Sequence, residues 1–406
     1  MIDADLFNRI EDLAILAIQG LRENIIQLMV KRIMAMDNPT LIEANKYLTK
    51  KLMESGLLMD DIVAEVAKQT RKTQKSVRKI FEDSYVQSIA LDNMIYQKNG
   101  IDPLPYDISE GMLGVLNEAM QQTNGEMRNM TRTLAQSSQL LFLEVMDEAY
   151  MSVRSGSLSY SQAIADAVET AAVKSGTIQY PSGHKDRIEV AARRAVLCGV
   201  NQSSIRAAVE RCRDLGWNHM IVSSHLGART AQPGKPAYAD HSAWQGKVYW
   251  LDKPDGEHKS FVETCGWGQG DGIGGWGCRH SAFAWKPGME NPFTQYDSEE
   301  NRKRYELVGK QRATERQVRT VKIKLQALQE AIDKAQNDET RERLQLKYDK
   351  AALNLRKYNK DYNDFCEAND LKKVGERLKI AKWSAEQSRQ AVLGANRQKR
   401  REKQGG

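Results

Sequence analysis

A mainly α-helical protein is what this sequence predicts: a helical N-terminal half, a small α+β domain rich in Trp, Gly and His, and a C-terminal helical hairpin or coiled-coil arm. Three observations carry that expectation. Apolar residues recur at helical spacing through the first part of the chain, short β-type runs separated by Gly and Pro are confined to a middle stretch, and two heptad runs follow it. Composition changes place the boundaries at 1–180, 181–297 and 298–406. With 406 residues, the chain also exceeds what one hydrophobic core usually organises.

In DLAILAIQGLRENIIQLMVKRI, Leu21, Ile25 and Leu28 fall at i, i+4 and i+7, which is one helical face. The stretch from Ser109 to Val153 is methionine-rich and helical, and such stripes usually fill a core. Gly125 inside the polar QQTNGE predicts a break in it. The next helix is readable at both ends: Ser159 and Gln162 form a capping box, Ile164, Val168 and Ala172 make the stripe, and Gly176 closes it. A turn at Pro181-Ser182-Gly183 then precedes one or two helices that end at Gly216.

Between about Trp217 and Pro292 the chain changes character. It gathers most of the tryptophans, five of the six histidines, and the runs HMIVSSH and GKVYWL between Gly/Pro turns. Beyond Ser298 the helical pattern returns. Val318, Val321, Leu325, Leu328, Ile332 and Ala335 are spaced 3-4-3-4-3, and Leu344, Tyr348, Ala351, Leu355, Tyr358, Tyr362 and Phe365 are spaced 4-3-4-3-4-3. QNDET at 336–340 interrupts them with turn formers, so the two runs are expected to fold back as an antiparallel hairpin. The end, GANRQKRREKQGG, is basic and apolar-poor, and is expected to be mobile unless it lies on something acidic.

Hydrophobic residues at 41%, charged residues at 28% and nine prolines describe a soluble, helix-rich chain. The run Leu13–Leu21 is far short of a membrane span, and MIDADLFNRI lacks the basic start of a secretion signal. Five cysteines, an odd number in a chain of this size, argue against an extracellular disulfide framework and for a reducing cytoplasm. The net charge of +7 is uneven. From residue 298 onward there are 28 Lys and Arg against 17 Asp and Glu, a net of +11, which leaves −4 for the rest. Such asymmetry points to an arm that meets nucleic acid or an acidic protein surface, with Arg397, Lys399, Arg400, Arg401 and Lys403 as the candidate contacts.

The loop GWGQGDGIGGWGCRH, residues 266–280, holds seven glycines and ends in Cys278, Arg279 and His280. It is no P-loop, because no Lys-Ser or Lys-Thr follows the glycines, and no dinucleotide loop, because CRHSAFAWKPG does not read as a helix. As a metal site, Cys265, Cys278 and His280 with His241 or His225 supply the N and S donors zinc takes, although the Cys-x-x-Cys pairs of zinc knuckles are missing. The alternative is cysteines packed as small apolar groups and histidines bonded to backbone carbonyls. Asp240-His241 suits the general base of a His-Asn-His nuclease, but no asparagine lies between His241 and His280. There is no G-x-S-x-G nucleophile elbow either.

Four blocks in order, GHKDRIEVAARRAVLCGVNQSS, SSHLGART, HSAWQGKVYW and GWGCRHSAFAWKPG, resemble the phage minor capsid protein 2 family, which is similar in its small domain to the Mu-type minor head proteins of tailed phages. YELVGKQRATERQVRTVK resembles the family's basic helix after that domain. The resemblance implies a virion structural protein, associated in few copies with the portal vertex of the head, with the portal and major capsid proteins as partners, packaged double-stranded DNA nearby, and no catalytic residue; no membrane contact is expected, and no cofactor other than the zinc considered for the loop. The residues matched to the family signature are His225, Gly227, Arg229, His241, Trp244, Gln245, Gly246, Cys278, Arg279 and His280. TAQPGKPAYAD at 230–240 is longer than the link expected between two of the blocks, and reads as an exposed insertion. The alternative function is a virion-borne DNA-binding or metal-dependent DNA-processing protein.

Overall fold

The computed structural model describes residues 20–38, 44–102, 110–179 and 183–404. Pro181 and Ser182 of the expected turn, Ser109, and the start of the first amphipathic run lie outside the described residues. Helices make up most of the described residues, so the protein is mainly α with a small α+β region. Helical residues 20–34 (α1) are followed by α2 (Ala44–Lys98), α3 (Glu110–Arg154), α4 (Tyr160–Lys174), β1 (Thr177–Gln179), β2 (Lys185–Arg187) and α5 (Ile188–Asp214). Then come β3 (His219–Val222), α6 (His241–Trp244), β4 (Val248–Trp250), β5 (Lys259–Ser260), α7 (Phe261–Cys265) and β6 (Ala282–Trp285). The chain closes with α8 (Ser298–Lys334), α9 (Asp338–Ala368) and α10 (Ala385–Gln404).

Packing divides the described residues into two compact units that composition does not mark, one drawn from 73–127 and 192–310, the other from 20–72, 128–191 and 311–404. α3 corrects the sequence reading, since it runs unbroken through Gly125. A glycine inside a helix costs about 1 kcal/mol against alanine, too little to end a 45-residue helix whose other residues bury an apolar stripe, Leu134, Phe142, Val145 and Met146 among them. The expected helix after residue 187 is one, not two.

In the first unit a four-stranded sheet runs in the order β5-β4-β3-β6, with β3 antiparallel to both β4 and β6 and β4 parallel to β5. All four residues of β3 and of β6 are buried, because both faces of the sheet are covered. Successive side chains alternate between the faces. Met220, Val222, Ala282 and Ala284 meet Ile205, Ala208, Val209 and Cys212 of α5, whereas Ile221, Phe283 and Trp285 meet Ile95 and Tyr96 of α2. The runs read as strands are therefore the interior of a layered domain. Asn218, just before β3, ties down the turn after β4, accepting from the backbone N–H groups of Asp252 and Lys253 at 3.0 Å.

In the second unit, Ser159 caps α4 by accepting from the Gln162 N–H at 3.2 Å, and Gly176 takes a left-handed φ of 82° after its end. β1 and β2 pair antiparallel. The heptad runs form the expected hairpin. Asn337 caps α9 by accepting from the Thr340 N–H at 2.7 Å, and Gln311 reaches Cys366 Sγ across the hairpin at 3.3 Å. Leu325, Leu328, Leu344, Tyr348 and Tyr362 along the runs are buried. Asp37 holds the turn, its carboxylate accepting from Asn337 Nδ2 at 2.9 Å, Thr340 Oγ1 at 3.0 Å and Gln336 N–H at 3.2 Å. Lys347 of α9 pairs with Asp166 at 2.6 Å and with Glu169 at 2.5 Å, and Lys324 of α8 pairs with the same Glu169, which fastens α4 to both arms of the hairpin.

The basic end meets its acidic partner inside the same chain. α10 lies on α9, where Ala391, Gly394 and Ala395 are buried. Arg397 grips Asp349 through Nε at 3.0 Å and Nη2 at 2.7 Å, and Arg401 adds Nη2 at 2.7 Å. Asp349 is fully buried, so removing both cations leaves an uncompensated interior charge. Replacing Arg397 and Arg401 together with methionine is expected to cost about 3–5 kcal/mol at this docking site. Limited trypsin digestion followed by mass spectrometry then finds cuts at Lys399 and Arg400 that are slow in the natural chain. Unchanged protection would show that the small-residue contacts alone hold α10.

Candidate functional site

The family-type signature residues converge at one end of the sheet in the first unit. Asp240, which sequence pairs with His241 as a general base, is instead the cap of α6: its Oδ1 accepts from Ser242 N–H at 3.2 Å and Ser242 Oγ at 2.6 Å. That cap orients His241, Trp244 and Gln245. Trp244 Nε1 donates to the Tyr238 carbonyl at 2.9 Å, and the Tyr249 hydroxyl donates to the Trp244 carbonyl at 2.7 Å. Gly246 turns the chain into β4 with a φ of 69°, and its carbonyl accepts from Asn291 Nδ2 at 2.9 Å.

Gln245 lies at the centre, buried. Its Oε1 accepts from the His225 N–H at 3.0 Å and from His280 Nε2 at 3.1 Å. A side-chain amide oxygen can only accept, so the His280 ring proton sits on Nε2 and Nδ1 carries the lone pair. That nitrogen is 3.6 Å from Cys278 Sγ, and the same sulfur accepts the His280 N–H at 3.4 Å. His241 follows the same rule, its Nε2 donating to the Asp271 carbonyl at 2.9 Å. The His225 and His280 rings stack with centroids 4.5 Å apart. Burial pushes His225 and His241 down to about 4, with Arg279 and Arg229 adding to the shifts, and takes His280 well below the ordinary histidine range. All three imidazoles are thus neutral near pH 7, and the Cys278 thiol is pushed up by burial.

The glycine loop wraps this cluster as a chain of tight turns. Gln269, Gly272, Gly275 and Cys278 each donate their N–H to the carbonyl three residues back, at 2.9–3.1 Å, and Ile273 N–H reaches the Cys265 carbonyl at 2.8 Å. A Cβ on Gly272 would stand 2.0 Å from the Gly266 carbonyl oxygen, and one on Gly275 would stand 2.3 Å from that of Gly270. Backbone passes backbone too closely there for any side chain. Arg229 locks the loop from outside, bonding the Trp276 carbonyl, the Asp271 carbonyl at 3.2 Å and the Asp271 carboxylate at 3.6 Å.

The donor atoms of His241, Cys278 and His280 lie within 4.8 Å of one another. Cys265, expected with them, is not one of that group; it is buried in the same hydrophobic core as Cys278, with Tyr249 and Phe261. Gly227 and Arg279 lie at the edge: Gly227 N–H donates to Asn301 Oδ1 at 2.9 Å, and the Arg279 charge lies near enough to His225 to disfavour its protonation. Residues 231–237 of the long link are exposed, as read from the sequence, and Lys235 ties it back to Asp271 at 2.8 Å. Of the basic candidates on α10, Lys399, Arg400 and Lys403 are exposed, whereas Arg397 and Arg401 are held by Asp349.

Two features escaped the sequence reading. Buried Asn301, at the start of α8, caps the His225–Arg229 turn through three hydrogen bonds of 2.8–2.9 Å; nothing in its neighbourhood marks it. A second cluster joins His219, Asp255 and His258. Asp255 Oδ2 accepts from His219 Nε2 at 2.7 Å and His258 Nδ1 at 2.6 Å, while Oδ1 takes the His258 N–H at 2.8 Å. The His258 N–H first, then the His219 ring, hold the Asp255 carboxyl well below the usual range. Its local half, Asp-Gly-Glu-His at 255–258, is the signal that could have found it.

The family model described as Phage minor capsid protein 2 matches residues 6–358, well beyond the blocks around the small domain. No curated protein and no solved structure matches the chain.

The loop geometry makes Gly272 the least replaceable position at the site. Gly272→Ala is expected to destabilise the domain by about 3 kcal/mol, as overpacking against fixed backbone does. Thermal melting reads the loss, and hydrogen exchange localises it to the Ile273 and Cys278 amides. Gln269→Ala, at an exposed residue of the same loop, should leave both readouts unchanged.

Proposed function

The chain belongs to the phage minor capsid protein 2 family, and on that premise we propose that it is a structural component of the virion, seated at the portal vertex or inner capsid, that aids head assembly and DNA packaging or delivery. The observation that carries this reading is a family match spanning most of the chain, joined to a signature of which six of the ten residues are buried. Trp244, His241, Gln245, Cys278 and His280 are all buried. They close a domain, and that use of them favours a building part over an enzyme. A capsid-family protein acts in contact with other head components; the proposed ones are the portal protein and the major capsid protein. The phage head is the proposed location, reached by assembly in the host cytoplasm. No helix among the described residues is long and apolar enough to cross a membrane.

Antibody labelling of purified heads tests the placement. Label at a single vertex, lost from heads assembled without portal protein, is the expected result. Label spread evenly over the shell would overturn the portal assignment while leaving a capsid role standing.

A second reading, contact with packaged DNA, is favoured by exposed Lys399, Arg400 and Lys403 on α10. With Arg397 and Arg401 held by Asp349, about three phosphate contacts remain. Counterion release then gives a log–log salt slope near −2.7, a fall of about forty-fold in affinity between about 50 and 200 mM salt. No base preference is expected, since contacts to phosphate carry no sequence information. Filter binding of the full chain to mixed-sequence duplex measures it, and undetectable binding at the lower salt would make α10 a protein-docking element.

A further inference from the structure

We propose that His241, Cys278 and His280 bind one zinc ion that pins the glycine loop to the end of the sheet. The donor set is the soft thiolate and imidazole combination that selects zinc, with no carboxylate in it to suit magnesium or calcium. The spacing agrees as well. Tetrahedral coordination, with about 2.3 Å to sulfur and about 2.0–2.1 Å to nitrogen, sets sulfur and nitrogen about 3.5 Å apart. Cys278 Sγ and His280 Nδ1 are 3.6 Å apart.

The surroundings are those of zinc ligands. A ligating histidine usually gives its other ring N–H to a carbonyl or carboxylate, which fixes the tautomer and aims the lone pair. Both histidines do so: His280 Nε2 donates to Gln245 Oε1 at 3.1 Å and His241 Nε2 to the Asp271 carbonyl at 2.9 Å. Cys278 Sγ accepts a backbone N–H, that of His280, which suits a metal-bound thiolate. Of the two arginines whose charge reaches the site, Arg229 and Arg279, the first has its charge met by the Asp271 carboxylate at 3.6 Å. Binding replaces the Cys278 S–H bond with a sulfur–zinc bond and releases the proton to solvent. Three protein donors leave the fourth position to water, with the stacked His225 ring alongside.

The test uses the full chain, purified without chelators from zinc-supplemented cells. Elemental analysis should find about one zinc per chain. Exchange of zinc for cobalt should produce a near-ultraviolet thiolate-to-cobalt band, a readout of the natural chain that does not depend on any variant folding. Cys278→Ser should lower bound zinc at least about fivefold and abolish the band. His219→Asn, in the other cluster, should change neither. Zinc below about 0.2 per chain with no cobalt band would overturn the proposal and leave Cys278 and His280 as a thiol–imidazole hydrogen bond only. Zinc kept in Cys278→Ser but lost in His219→Asn would overturn it too, by moving the metal to the His219–Asp255–His258 cluster. None of these outcomes bears on the virion role, which rests on the family match.

Discussion

One buried amide oxygen organises the small domain. Gln245 Oε1 joins the turn after β3, through the His225 N–H, to the approach to β6, through the His280 ring. Both segments are irregular and both carry backbone polar groups into the interior, where an unmet partner costs about 1–3 kcal/mol. A single acceptor with two lone pairs meets both donors at once. Because it also dictates the His280 tautomer, it decides which nitrogen faces Cys278. The glycine loop, the Arg229 lock and the stacked histidines all build on an orientation that this one side chain sets.

The second unit relies on buried carboxylates. Asp37 bonds three groups at the tip of the hairpin, and Asp349 holds two arginines of α10. A buried charge adds little net stability over a well-packed apolar residue, but it tolerates few wrong partners. Heptad seams are permissive about register, since one apolar layer resembles the next. Asp349 suits the role of a registry pin, because α10 must bring Arg397 and Arg401, one helical turn apart, to the same carboxylate.

These two devices bear on function in the same way. Residues of the family-type signature are here engaged in closing the domain, as the buried carboxylates are in fixing the hairpin. Asp240 is the plainest case. Beside His241 it has the composition of an acid–base pair, yet it caps a four-residue helix, and the histidine's proton is given to a backbone carbonyl. Residue identity is shared between the two roles, and only the hydrogen-bond partners separate them.

The sequence by itself determined whatever depends on local spacing. The α4 cap and stripe, the two heptad runs and the turn between them, the strands at HMIV and VYW, and the glycine loop all follow from side-chain periodicity and backbone freedom acting within a few residues. Tertiary structure decided what depends on distant partners. It carried α3 through Gly125, because burial of a long stripe outweighs one glycine. Of two cysteines buried in one core, it set Cys278 and not Cys265 beside a histidine, and Asn301 became a cap for a turn over seventy residues away. The basic tail, whose composition suggested a free arm, found its acid at Asp349, about fifty residues earlier on the next helix. Charge counts along a chain cannot reveal that, since whether a cation is available depends on which anion the fold sets against it.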